Sequence, residues 1–496
     1  MRIVNSMLSA SLLTAGMLLF TGCGDSKFLD VEPRSQADAT IALTTPEGFD
    51  AAVNGIYERL QSTALYGRDF LALSEALSDN SQFTNKSGRL VNENRNIQGA
   101  TFANWATSYF GINQANLILD NIGTITFVAA DTGRRNTLQG QAYFLRALLY
   151  HDLSRAYSYD PGTEIAAQNR GGVPLLLVGV ADQGKITLPA RPAVADVYKQ
   201  IYADLQSAIA TFTRTNAAAP AYGNLQAAQA LFARVALYNR DYATAVRYAT
   251  DAIAGTIKLS DNASYIGGWR GTRHPESLFE IQYTTPENIG VNTSLQTSYT
   301  TLVRLGERST TGGFGDLVPT TVGPTSFIAD LEAEKSATGA VLDIRRQLYE
   351  LGTAGRGPAF IETTKFLGKN GLINLDNVPV IRISEVHLIR AEANALLGNT
   401  AAALADLNTI RTRSGLVARP ATNLTNDALI AEISRQNRLE FGFEGHRWFD
   451  LKRLGQPVVK AVAQGGGLTP TDFRILANIP INELSTNKNI RQNFGY

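Results

Sequence analysis

The chain has 496 residues, enough to bury a large core and, by length alone, to make roughly two to four domains. Its 45 basic and 44 acidic residues nearly cancel and no long run of one sign occurs. That excludes a nucleic-acid binder working through a bulk positive field, and also an electrostatic tail.

Residues 1–22 read as a lipoprotein signal peptide. Arg2 supplies a positive n-region, and Met7 to Phe20 form an apolar run. That run is too short to cross a bilayer core of about 30 Å as a helix rising about 1.5 Å per residue. Phe20-Thr21-Gly22-Cys23 resembles a lipobox, with Phe20 where Leu is usual, so Cys23 is expected to be lipidated and to become the mature N-terminus. Cys23 is the only cysteine, so no internal disulfide can form even in an oxidising compartment. No later apolar run reaches about 18 residues, which predicts a chain anchored to a membrane and not spanning it.

Residues 23–44 read as a lipidated polar tether, and 45–496 as a single domain. Thr45-Pro46-Glu47 has the form of an N-cap, a proline at the first helical position and an acid in the first turn. Phe49, Val53, Ile56 and Leu60 follow at helical spacing. Further stripes run through Phe102, Trp105, Tyr109, Ile112 and Leu119; through Leu138, Ala142, Leu145, Leu149 and Leu153; and through Val194, Val197, Ile201, Leu205 and Phe212. Each must be buried against a neighbour, so the fold class is mostly α. Arg240-Asp241-Tyr242 with Ala245 and Ala249 matches Gly398-Asn399-Thr400 with Ala403 and Leu407. Small residues at those steps let paired helices approach closely, which is tetratricopeptide-like logic. Such pairs are expected within about 45–255 and 384–455, with an irregular, loop-rich insertion at about 256–383 that holds short β pieces such as 277–283.

Irregular segments on a rigid scaffold are where binding residues concentrate. Sugars offer apolar C–H faces to aromatic rings and hydroxyl rims to Asp, Asn, Gln and Arg. Trp105 belongs to a helical stripe and Trp448 to the C-terminal stretch, which leaves Trp269, in a Gly-rich segment beside Tyr265 and Arg270, as the stacking platform. Asp79, Asn80, Phe83 and Arg89 lie in or beside the irregular stretch 78–99, and Tyr299 and Phe314 lie in the insertion. These nine are the candidate ligand residues; for each, a turn cap, an exposed loop position or local packing is the competing reading.

Near the end, residues 438–453 read Arg-Leu-Glu-Phe-Gly-Phe-Glu-Gly-His-Arg-Trp-Phe-Asp-Leu-Lys-Arg. Glu440, Glu444, Arg447 and Asp450 stand at helical steps, so they can meet, and Trp448 adds apolar area. Two readings are open: a catalytic carboxylate pair, or a buried ionic and aromatic staple locking a C-terminal helix to the core. Nothing nearby resembles a nucleophile or a substrate cradle, which favours the staple. The four histidines lack partners at metal-ligand spacing. No phosphate loop or serine elbow occurs, so neither metal nor cofactor is expected.

The same sixteen residues are similar to the C-terminal signature of the SusD/RagB family of nutrient-binding outer-membrane lipoproteins. Phe28-Leu29-Asp30 with Pro33, 143–150, Gly171-Gly172-Val173-Pro174-Leu175, 194–209, 383–393 and the ending 489–496 also resemble that family. The resemblance implies a SusD-like helical fold and a non-enzymatic, surface-exposed, lipid-anchored binder of oligosaccharide or another nutrient. It also implies a SusC-like TonB-dependent outer-membrane transporter as partner, and no nucleic acid. The family's starch-type aromatic arc is not evident, which leaves other glycans, or peptides, as ligands. A lipoprotein glycosidase and a tetratricopeptide-like scaffold with no small ligand are the alternatives.

Overall fold

Thr45 accepts a hydrogen bond from the Gly48 amide and caps helix α1 (Pro46–Leu60), whose buried face is the predicted Phe49, Val53, Ile56 and Leu60. The computed structural model describes residues 42–128, 131–212, 220–323, 325–422 and 424–496. The signal peptide, Cys23 and nearly all of the tether lie outside the described residues. Residues Leu43–Tyr496 cluster as one unit.

Ten further helices carry the scaffold: α2 (Asp69–Leu77), α3 (Trp105–Asn121), α4 (Thr132–Tyr157), α5 (Val194–Thr211), α6 (Leu225–Tyr238), α7 (Tyr242–Ala254), α8 (Ile383–Leu396), α9 (Thr400–Arg413), α10 (Asn426–Glu440) and α11 (Arg447–Arg453). From α3 to α9 each helix packs against its successor, including α7 against α8 across the whole insertion, and α1 packs on α3. The matched turns behave alike. Arg240 and Gly398 both take positive φ, and the next residue's amide bonds back to the sixth-residue carbonyl: Asp241 to Ala236 at 2.9 Å, Asn399 to Asn394 at 2.8 Å. This is a Schellman ending, which stops one helix and aims the chain back along it. Ala245, Ala249, Ala403 and Leu407 are buried at the resulting contacts.

The mostly α fold with a short-strand insertion is what the chain forms. In the insertion β2 (Ser277–Ile281) pairs antiparallel with β6 (Val378–Arg382), and β4 (Tyr349–Leu351) with β5 (Ile361–Thr363). β1 (Ser81–Phe83), from the stretch after α2, pairs with β3 (Leu317–Pro319) of the insertion.

The C-terminal stretch corrects one expectation. Glu440, Glu444, Arg447 and Asp450 do not meet along a helix, because α10 ends at Glu440 and the chain turns through Phe443 and Gly445, both at positive φ, before α11. A side chain at Gly442 would begin 2.3 Å from the Phe327 ring, so the turn packs too closely for any other residue. The staple exists, but its cations come from elsewhere. Arg382, 1 % exposed, donates to Glu276 (2.9 Å), Glu440 (2.9 Å) and both oxygens of Glu444 (2.8 Å). Lys365 reaches Glu444 at 2.6 Å, and Arg413 pairs with Glu440 at 2.6 Å. Burial opposes ionisation of Glu440, but Arg413, Arg382 and Arg345 outweigh it and hold the carboxyl well below the usual range. Asp450 instead accepts from Arg453 (2.9 Å) and Asn437 (2.7 Å), and Trp448 is buried.

A second tie joins α2 to the same region. Arg447 grips Asp79 through two hydrogen bonds of 2.7 and 2.9 Å, and Arg438 donates to Asn80 at 2.7 Å. Buried Glu75 accepts from the Asn80 side chain (3.0 Å) and the Gly445 amide (3.2 Å). Burial pushes its pKa up to about 7, with those two donors pulling the other way.

Two outcomes follow from these contacts. Arg382→Met leaves three buried carboxylates short of a partner, so urea unfolding should show a loss of about 3–5 kcal/mol. Arg134→Ala, at an exposed pair with Glu47 and Asp50, should leave the midpoint unchanged. Glu75 titrates higher folded than unfolded, so the folded state retains its proton over a range where the unfolded chain has released it. Stability should therefore fall as pH rises from about 4.3 through about 7, by up to about 3 kcal/mol. Denaturation at about pH 5 and about pH 8 should show Glu75→Gln lacking this slope.

Candidate functional site

The β1–β3 ladder sets Phe83 opposite Leu317 and continues through the Thr84 amide, which donates to the Asp316 carbonyl at 2.9 Å. It thereby brings the segment after α2 beside residues 311–316, more than two hundred positions away. On this corner Arg89 donates to Asp316 through Nε at 3.1 Å and Nη2 at 2.5 Å, and through Nη1 to the Asn292 carbonyl. The same guanidinium lies 4.2 Å from the centre of the Phe314 ring, and exposed Arg356 lies 4.5 Å from it. Arg95 stands 4.8 Å from the Phe83 ring, and Lys86 stands 5.3 Å from Phe360.

The corner has two layers. Beneath are the buried acids Asp316 and Glu362 with the Lys86 side chain, itself 2 % exposed and 3.5 Å from Glu362; above are Arg89, Arg95 and Arg356 with the half-buried rings of Phe83, Phe314 and Phe360. Glu362 accepts from the hydroxyls of Thr300 (2.9 Å) and Thr301 (2.9 Å) and from the Thr301 amide (2.7 Å). Asp316 accepts from Ser87 and Arg89. Burial raises the pKa of both acids against these donors. Each carboxylate is occupied in place, so the outer layer offers rings and guanidinium donors, the groups that cover a sugar face and bond its hydroxyl rim.

Of the nine candidates, Arg89 and Phe314 meet directly, and Phe83 lies at the same end of the ladder. The others are corrected by the structure. Asp79 and Asn80 are buried and held by Arg447 and Arg438, so they face no ligand. Trp269 is 2 % exposed; it is no platform, and packs against His274 and Phe366 with Lys365 and Arg382 near its ring. The Gly-rich segment is a short helix, Asn262–Gly268, capped by Asp261, and it turns Tyr265 inward against Arg413. Tyr299 is buried against Phe443. Half-buried Arg270 donates to Thr364 and reaches no part of the corner described above.

Sequence reading missed Lys86, Asp316, Arg356 and Phe360. The only signal was their place in irregular, Gly-rich stretches, since their partners are remote in sequence. Among the described residues, no group of three His, Cys, Asp or Glu side chains is placed to hold a metal ion, and no helix is long and apolar enough to cross a membrane.

Comparison with known proteins accounts for the architecture. Residues 360–496 match the model of the SusD family, and residues 27–237 match a family described as starch-binding and associating with the outer membrane. The SusD-like protein P2 of Formosa agariphila is 25 % identical over 96 % of this chain and 97 % of its own. The starch-binding protein SusD of Bacteroides thetaiotaomicron is 32 % identical, but over only 24 % of this chain and 22 % of its own. Among solved structures, a putative sugar binding protein from Bacteroides vulgatus superposes with a TM-score of 0.77 at 25 % identity, covering 91 % of this chain and 99 % of that one. A SusD superfamily protein from Bacteroides thetaiotaomicron gives the same score and identity, covering 91 % and 100 %. With its helical array, its C-terminal signature and relatives aligned over 91–96 % of its length, the chain belongs to the SusD/RagB family.

Proposed function

We propose that this protein is a surface-exposed, lipid-anchored glycan-binding protein that captures oligosaccharide without altering it and passes it to a SusC-like TonB-dependent outer-membrane transporter. One observation carries the binding reading: the guanidinium groups of Arg89 and Arg356 lie over Phe314 on a corner that the insertion and the stretch after α2 build together. The corner therefore meets a sugar with guanidinium N–H donors held on an aromatic base, which can bond its hydroxyls without covalent chemistry. The descriptions of the matching family and of its starch- and sugar-binding relatives support the ligand class and the outer-membrane setting. Cys23, after the apolar run, supports lipid anchoring with 1–22 removed and 23–44 as the tether. A tether would hold the binder at high effective concentration beside its transporter. Residues 45–496 would act as one domain, with the helical scaffold supplying the transporter-facing surface.

Titration calorimetry against a glycan panel tests the reading. Phe314→Ala and Arg356→Ala should each weaken binding about tenfold while melting unchanged, a loss of about 1.4 kcal/mol. Product analysis should show the oligosaccharide intact; cleavage that one carboxylate substitution abolishes would make the protein a glycosidase instead. Cys23→Ser should move the protein out of the outer-membrane fraction, as read by fractionation and blotting.

A further inference from the structure

A second recess, of about 370 Å³, shares no lining residue with the Phe314 corner. Tyr57 of α1, Tyr222 before α6 and Tyr283 after β2 line it, with Asn54, Glu58 and Glu287. Its walls are fixed by internal bonds. The Tyr57 hydroxyl donates to Gln141 (2.9 Å) and accepts from the Gly223 amide (2.8 Å). The Tyr283 hydroxyl donates to the Gln61 carbonyl (3.1 Å), and the Tyr283 amide donates to Asn377 (2.9 Å). Glu287 accepts from both the amide (2.6 Å) and the hydroxyl (2.7 Å) of Thr284.

Against this frame Tyr222 stands 42 % exposed, meeting Tyr57 edge-on with ring centres 5.2 Å apart. Asn54 and Glu58 are exposed one helical turn apart on α1. Glu58 and Glu287 place two carboxylates in the lining, and among the described residues no Lys or Arg lines the recess. Its charge is therefore opposite in sign to the outer layer of the Phe314 corner. It disfavours an anionic ligand and accepts hydrogen bonds from hydroxyls.

We infer that the Tyr57–Tyr222–Tyr283 recess is a second carbohydrate site, selective for neutral oligosaccharides, with a sugar ring on Tyr222 and its hydroxyls on Asn54 and Glu58. Two sites of unlike charge on one body would let the protein hold chains of mixed composition at two points, raising avidity beyond either site alone. The inference shares the ligand class of the proposed function but does not need the Phe314 corner to bind.

The test uses the mature chain carrying Phe314→Ala and Arg356→Ala, so that the corner is disabled. Maltohexaose, cellohexaose, laminarihexaose and mannohexaose are added at millimolar concentration while hydrogen exchange is followed at 54–61 and 281–287. At least one of them should protect both segments, oligogalacturonate should not, and adding Tyr222→Ala should weaken the effect about tenfold. Glu58→Gln, which keeps the fold of an exposed helix face, should weaken it as well. Absence of protection by every neutral probe, or protection that Tyr222→Ala leaves unchanged, overturns the second site. If binding by the wild-type chain vanishes with the two corner substitutions alone, the corner stands and the recess falls. Protection that persists, with no effect of the corner substitutions on wild-type binding, upholds the recess and removes the corner.

Discussion

Arg382 sits where the insertion returns to the helical array, and its buried charge can be carried only if carboxylates surround it. Glu276 comes from just before β2, and Glu440 and Glu444 come from the C-terminal stretch. Three remote segments must therefore arrive together before any of these charges is tolerable in a dry interior. This is a constraint on assembly more than a source of net stability. A buried ion pair seldom outdoes well-packed apolar residues, but removing one member strands the others. The second tie, through Arg447, Asp79, Asn80 and Glu75, applies the same rule to α2, and so to the segment that leads into Phe83 and Arg89.

The division of labour follows from this. The helices bury their stripes against successive neighbours, and the stretches that cannot do so gather at their edges. The Phe314 corner consists of side chains from such stretches, seated on two acids that are themselves held, Glu362 by threonine hydroxyls and an amide and Asp316 by Ser87 and Arg89. A surface assembled this way is preorganised: Arg89 is held by Asp316 and Asn292 before any ligand arrives, which lowers the ordering cost of binding.

How much of this is legible in the sequence depends on the distance over which each contact acts. The α1 cap, the apolar stripes and the paired turns at Arg240 and Gly398 are local, and they appear in the structure close to where their residues predict, with Phe102 just ahead of α3 and Phe212 just past α5. The C-terminal stretch announced its buried charges but not their partners, because Arg382, Arg413 and Lys365 lie far upstream. Trp269 misled for a different reason. Glycines on both sides suggested an open loop, but Asp261 caps a short helix there and the ring is turned into the core. Arg89 and Phe314 stood out as residue types suited to sugar. That they touch, and that Arg356 joins them, depends on strand pairing between segments far apart in the chain.

The route of the chain through the insertion has an evolutionary consequence. α7 packs on α8 as though nothing intervened, and β2 and β6, near the two ends of the inserted stretch, lie side by side. The stretch thus departs and re-enters at one doorway, and those parts between that do not touch the frame can lengthen, shorten or be exchanged, whereas Phe327, Arg345 and Lys365 are tied to the C-terminal stretch. Such a cassette lets one frame acquire new tastes by swapping its contents, with the Arg382 cluster at the threshold as the part that must stay.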